Sequence, residues 1–133
     1  MPISILLSRL SLFTIFFWFG LLKVLGASPA NPLVGDLLAK TLPFIGFDQF
    51  IIFFGLLEMI IGITFLIPKA EKLMLFLLIP HMATTFMPLV LLPSVTWQSF
   101  LTPTLEGQYI IKNLLIISLA FILVSKPDLR KIK

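Results

Sequence analysis

Four stretches of this chain are apolar for about twenty residues each, the length that carries a helix across a bilayer. They run over residues 5–26, 47–67, 73–92 and 109–124. Each run is continuous and shows no alternation of apolar and polar residues, which predicts helices and argues against barrel strands. The rest of the composition agrees: 59% of residues are hydrophobic, 12% are charged, and the mean hydropathy is +1.11. Soluble domains carry about 25% charged residues. The expectation is an all-α, integral membrane four-helix bundle. Residues 1–133 would form one domain, with room for one bundle and no separate soluble domain.

Several functions are set aside by what the chain lacks. It has no Cys, so disulfide staples, thiolate metal sites and cysteine redox chemistry are excluded within it. One His and scattered acids argue against a dedicated metal site. The net charge of +4 is not a nucleic-acid signal, because the basic residues cluster at span ends and in the C-terminal tail. The first span reads as mature and not as a cleaved signal peptide. No Lys or Arg precedes Arg9, the apolar run exceeds a signal h-region, Lys23 interrupts its end, and Pro29 falls where cleavage would occur.

The connections set the topology. Pro68-Lys69-Ala70-Glu71-Lys72 is a tight turn that forces spans two and three into an antiparallel hairpin. The first loop holds a short helix near residues 31–40, with Asn31 expected as N-cap and Pro32 as the first helical residue. The third loop carries Trp97, Phe100 and Tyr109, aromatics suited to the lipid–water interface. Thr102 and Pro103, with Glu106 in the first turn, are expected to open the last helix. With four spans, both termini share a side with the Pro68–Lys72 turn. That side holds Arg9, Lys69, Lys72, Lys126, Arg130, Lys131 and Lys133, and the other only Lys23, Lys40 and Lys112. The excess places both termini in the cytoplasm.

Glu58 is the only charged residue between Asp48 and Lys69, near the middle of span two. A carboxylate at that depth is costly unless paired or protonated. Helical spacing groups the other polar residues into stripes. Span one carries Arg9, Phe13, Phe16, Gly20 and Lys23. Span two carries Gly55, Glu58 and Gly62, span three His81, Thr84, Thr85 and Pro88, and span four Tyr109, Lys112 and Asn113. The four stripes are expected to face each other. Depth, at about 1.5 Å rise per residue, separates them into an inner group of Arg9, Glu58 and His81, with Thr84 beside it, and an outer group of Lys23, Glu106, Lys112 and Asn113. Arg9 is expected to reach Glu58. The plainer alternatives stay open: Lys23 and Lys112 snorkel to the interface, Glu58 holds helix register, and His81 is a hydrogen-bonded core residue. Pro80 and Pro88 kink span three and free carbonyls near Phe76 and Thr84. The Phe-rich run of span one reads as lipid-facing bulk.

Three segments resemble the DoxX-like family of bacterial four-helix membrane proteins. They are Phe17-Trp18-Phe19-Gly20-Leu21-Leu22-Lys23 with the upstream Arg9, Gly55-Leu56-Leu57-Glu58-Met59-Ile60-Ile61-Gly62, and Thr104-Leu105-Glu106-Gly107-Gln108-Tyr109-Ile110-Ile111-Lys112-Asn113. Their order and span placement extend the resemblance over essentially the whole chain. It implies a multi-pass protein of the bacterial inner membrane. Relatives include the membrane subunit of a thiosulfate:quinone oxidoreductase and subunits associated with oxidative-stress complexes. Members of related folds that perform disulfide chemistry need cysteines, which this chain lacks.

The leading expectation is a small membrane subunit or accessory of a redox or oxidative-stress system. It would bind a lipophilic partner such as a quinone, or dock a redox enzyme, with Glu58 and Arg9 as polar centre and His81 and Thr84 as hydrogen-bond partners. A homo-oligomer is an alternative partner. One rival is a transporter or channel for a small solute or proton, which Glu58-dependent flux would reveal. Another is a passive scaffold, in which loss of Glu58 lowers stability and nothing else.

Overall fold

The computed structural model describes residues 2–125, so Lys126, Arg130, Lys131 and Lys133 lie outside the described residues. The chain is all-α apart from one small hairpin. Helices α1 (Ile3–Val24), α2 (Asn31–Thr41), α3 (Phe47–Leu66) and α4 (Glu71–Phe86) are followed by two short helices, α5 (Pro88–Leu91) and α6 (Pro93–Thr96). Strands β1 (Trp97–Ser99) and β2 (Thr102–Pro103) then pair antiparallel, and α7 (Leu105–Ile111) and α8 (Asn113–Ser125) complete the described chain. Four helical stretches are long and apolar enough to cross a membrane: Ile3–Val24, Phe47–Leu66, Pro68–Leu91 and Leu105–Ser125.

Local chemistry explains where these stretches break. Pro80 sits inside α4 without ending it. Pro88 does interrupt it: Met87 keeps helical dihedrals (φ -53°, ψ -41°), but the proline offers no N–H to carry the helical bonding on. The chain tightens at Met87, whose N–H donates to Thr84 O at 3.3 Å, and restarts as α5. The last span opens at Leu105 and not at Thr102–Pro103, which are drawn into β2. Thr104 is the cap, its Oγ1 accepting from Gly107 N at 3.2 Å. Likewise α2 begins at Asn31 itself, one residue earlier than expected. Ala30 is the N-cap and makes no side-chain cap bond. The Ser28 hydroxyl accepts from Ala30 N instead, at 3.1 Å.

The core joins four helices. Leu12 and Phe16 of α1 meet Ile61 and Phe65 of α3, Met74, Leu78 and Met82 of α4, and Ala120 and Leu123 of α8. The outer faces are equally apolar, with Trp18, Phe53, Phe76 and Leu115 all exposed. Apolar burial therefore does not decide which faces turn inward. Small residues and charges do.

The closest packing is between antiparallel α1 and α3, and glycines permit it. A Cβ at Gly20 would stand 2.5 Å from Gly55 O and 2.9 Å from the Glu58 Cβ. A Cβ at Gly55 would stand 2.6 Å from Gly20 O. Farther along, Gly62 faces the Phe13 and Phe17 backbone. Small residues let two helix backbones approach in this way. By contrast, a Cβ at Gly35 in α2 would meet the Phe47 ring at an ordinary 3.5 Å. Gly20→Ala is therefore expected to cost about 1–3 kcal/mol through overpacking, and Gly35→Ala to be neutral or stabilising by up to about 1 kcal/mol. Thermal unfolding of both variants in detergent checks this. Equal effects would place the α1–α3 contact elsewhere.

Candidate functional site

Glu58 lies midway along α3, on the face that Gly55 and Gly62 open to α1. It is 7% exposed. Two basic side chains meet it from different helices. Lys23 Nζ stands 2.7 Å from Oε1, within ion-pair distance. His81 Nε2 lies 2.9 Å from Oε2. Lys23 and His81 are 6% and 4% exposed. The three side chains join α1, α3 and α4 at one buried point.

The reach of Lys23 follows from helix geometry. It occupies the last turn of α1. Cα–Cβ bonds tilt toward the helix N-terminus, so its side chain runs back down α1 into the bundle. The close approach at Gly20 and Gly55 then brings the ammonium to Glu58. This reverses the expectation that Lys23 belongs to an outer group or snorkels outward.

His81 is held by aromatic contacts as well as by Glu58. Phe54 stacks on its ring at 4.8 Å between centroids and 12° between planes. Phe16 meets it edge-on at 5.5 Å. In an ionised Lys23–Glu58 pair the carboxylate is acceptor-only, so Nε2 carries the donated proton, and in the neutral imidazole Nδ1 is then an acceptor. Nδ1 is buried and has no hydrogen-bond partner among the described residues. A neutral acceptor left bare in this way costs about 1–3 kcal/mol.

Arg9 is not part of this centre. It is 5% exposed and serves the other end of α3. Its Nη1 donates to Phe65 O at 2.9 Å, one of the carbonyls that a helix end leaves without an internal donor. Its Nη2 lies 3.3 Å from Oε1 of Glu71, the first residue of α4. Arg9 thus ties α1 to the hairpin joining α3 and α4. The expected Arg9–Glu58 pairing fails on register. Antiparallel packing sets Arg9 beside Phe65, two turns from Glu58, while Lys23 falls beside Gly55. Glu71 was a partner that sequence depth counting had available, since the turn lies at the same end as Arg9.

The remaining residues stay outside. Thr84 returns its hydroxyl to Pro80 O at 3.0 Å, and Thr85 to His81 O at 2.9 Å. Glu106 and Lys112 are exposed, and Asn113 donates from Nδ2 to Tyr109 O at 3.2 Å. Lys112 lies over the Tyr109 ring, 5.3 Å from its centroid. The stripe of span four therefore does not turn to the centre. Among the described residues, no group of three or more His, Cys, Asp or Glu side chains has the arrangement of a metal site. Comparison with family models, with curated proteins and with solved structures returned no match.

What this arrangement can do is hold charge in a dry place. A carboxylate between an ammonium and an imidazole gives both a partner within 3 Å, at 2.7 and 2.9 Å. Removing one partner strands the others. Glu58→Gln leaves Lys23 buried without its counter-ion, at an expected cost of about 3–5 kcal/mol. In a double-mutant cycle, Lys23→Met should couple strongly to Glu58→Gln, whereas Arg9→Met and Glu58→Gln should add to within about 0.5 kcal/mol. Thermal unfolding of the two cycles is the measurement. Strong Arg9–Glu58 coupling with none for Lys23 would reverse the assignment.

Proposed function

We propose that this chain is a DoxX-like, multi-pass protein of the bacterial inner membrane with both termini and the Pro68–Lys72 turn facing the cytoplasm. In this reading it serves a membrane redox or oxidative-stress system as a small subunit that binds a lipophilic partner such as a quinone. The observation that supports it is the His81 ring. One nitrogen is committed to Glu58, the ring is held between Phe54 and Phe16, and the second nitrogen is buried without a hydrogen-bond partner among the described residues. Such a nitrogen is a ready acceptor for a hydroxyl or a water beside the carboxylate. The Lys23–Glu58 pair would fix the tautomer and balance charge as a proton comes and goes. None of the three side chains is redox-active, so the electrons would belong to the partner.

Proton or solute passage is the second reading. It draws on the same three residues and on the break at Met87, where α4 gives way to α5 inside a span-length stretch.

Mass spectrometry on protein extracted gently from native membranes separates these readings. Wild type is compared with Glu58→Gln and with His81→Phe, which keeps a ring against Phe54 and leaves the Lys23–Glu58 pair in place. A quinone or redox enzyme that co-purifies with wild type and is lost from both variants is the expected outcome. Retention in both would overturn the site, and proton flux in liposomes that depends on Glu58 would favour the second reading.

A further inference from the structure

Residues 73–105 contain no Asp, Glu, Lys or Arg. The stretch outlasts α4 and runs through α5, α6 and the β1–β2 hairpin to the start of α7. A connection bathed in water has no reason to exclude charge over its whole length. Its exposed polar residues, Ser94, Gln98, Ser99 and Thr102, are all uncharged, and large apolar side chains stand out beside them: Val90 at 79%, Phe100 at 88% and Leu101 at 76%.

Five polar side chains of this connection bond back to its own carbonyls, with Thr96 buried and Gln98 and Thr102 exposed. Trp97 donates from Nε1 to Leu89 O at 2.9 Å. Thr96 Oγ1 donates to Pro88 O at 3.1 Å, and Thr104 Oγ1 to Val95 O at 2.6 Å. Gln98 donates from Nε2 to Pro103 O at 3.3 Å, and Thr102 Oγ1 to Phe100 O at 3.2 Å. Side chains that would meet water in a soluble loop satisfy carbonyls of the same segment. That is the requirement non-helical backbone meets near a bilayer, where water does not serve it. The tip adds a conformational observation. Leu101 has φ +54°, a region that branched L-residues rarely adopt. A glycine would suit this turn, yet the position holds a leucine directed outward.

We propose that the α5–β2 connection is an interfacial anchor, with Phe100 and Leu101 inserted at the boundary of lipid headgroups and acyl chains. It rests on the membrane-spanning reading above. The occupant is lipid because the tip continues the apolar outer surface of the spans, through Val90 on α5 and Leu105 on α7. Because the segment is uncharged, it recognises acyl chains and not headgroup charge. Its insertion is therefore expected to be insensitive to salt and equal in zwitterionic and anionic bilayers. The anchor fixes the depth of the broken third span, and with it the level of α4 that carries His81.

The cysteine-free chain supplies the test. Single cysteines are introduced in the full chain as Phe100→Cys and Leu101→Cys, with Lys40→Cys and Lys69→Cys as wet controls. The proteins are placed in open phosphatidylcholine membranes at high lipid excess and exposed to an impermeant maleimide. The expected result is slow labelling of both tip cysteines, at least tenfold below the controls, with fast labelling once detergent replaces lipid under native conditions. In a Trp18→Phe background, Trp97 fluorescence should be quenched by lipids brominated near the carbonyl end of the chain. Tip labelling as fast as the controls would overturn the anchor while leaving the spans in place. Protection lost on further lipid dilution would assign the tip to a second copy and overturn the lipid assignment. Release of the whole protein by alkaline carbonate would overturn both the anchor and the membrane reading.

Discussion

A carboxylate buried between helices needs a counter-ion or hydrogen-bond donors within a few ångströms, and that need organises this bundle. Glu58 is met by Lys23 from α1 and His81 from α4. The Lys23 contact forms only where α1 and α3 come close, and they come close because Gly20 and Gly55 present backbone to backbone. The glycines are therefore part of the charged centre although they carry no charge. Where outer and inner faces are equally apolar, apolar burial gives little preference for one helix face over another. Pairing of the rare charges, and the close packing it requires, then selects the arrangement.

The two ends of the bundle solve the same problem differently. At the turn between α3 and α4, Arg9 supplies donors to a helix-end carbonyl and to Glu71, so charge closes the structure. At the opposite end, between α5 and α7, hydroxyl, amide and indole donors close it without any charge. The centre lies between them, with His81 stacked on Phe54 and one ring nitrogen buried without a hydrogen-bond partner among the described residues. A rigid ring with one committed and one open nitrogen suits exchange of a proton with a small neutral partner. The proposed redox role and the rival of proton passage share this chemistry, and they differ in what arrives at that nitrogen.

Much of this was legible in the sequence. Length and continuity of the apolar runs determined the four span-length helices, since a helix is the element that satisfies its own backbone over such a run. Helical periodicity placed Arg9, Phe13, Phe16, Gly20 and Lys23 on one face of α1, and Gly55, Glu58 and Gly62 on one face of α3; all are buried except Phe13, which is half-buried. The isolation of Glu58 marked the centre, and Pro88 marked a break in the third span. These properties depend on neighbours along the chain.

Only the tertiary structure decided who meets whom. Depth alone paired Arg9 with Glu58, but a shift of two turns in the α1–α3 register separates them and puts Lys23 there instead. Side-chain direction decided the same point, because Lys23 points back along its helix into the bundle. The aromatic cradle of His81 draws Phe16 and Phe54 from two helices, and no spacing within either reports the other. The fourth stripe, Tyr109, Lys112 and Asn113, stayed outside because α7 and α8 turn other residues, among them Ile110, Ala120 and Leu123, toward the bundle. Periodicity fixes which residues share a face, but the rotation and register of one helix against another are set by packing between segments distant in sequence.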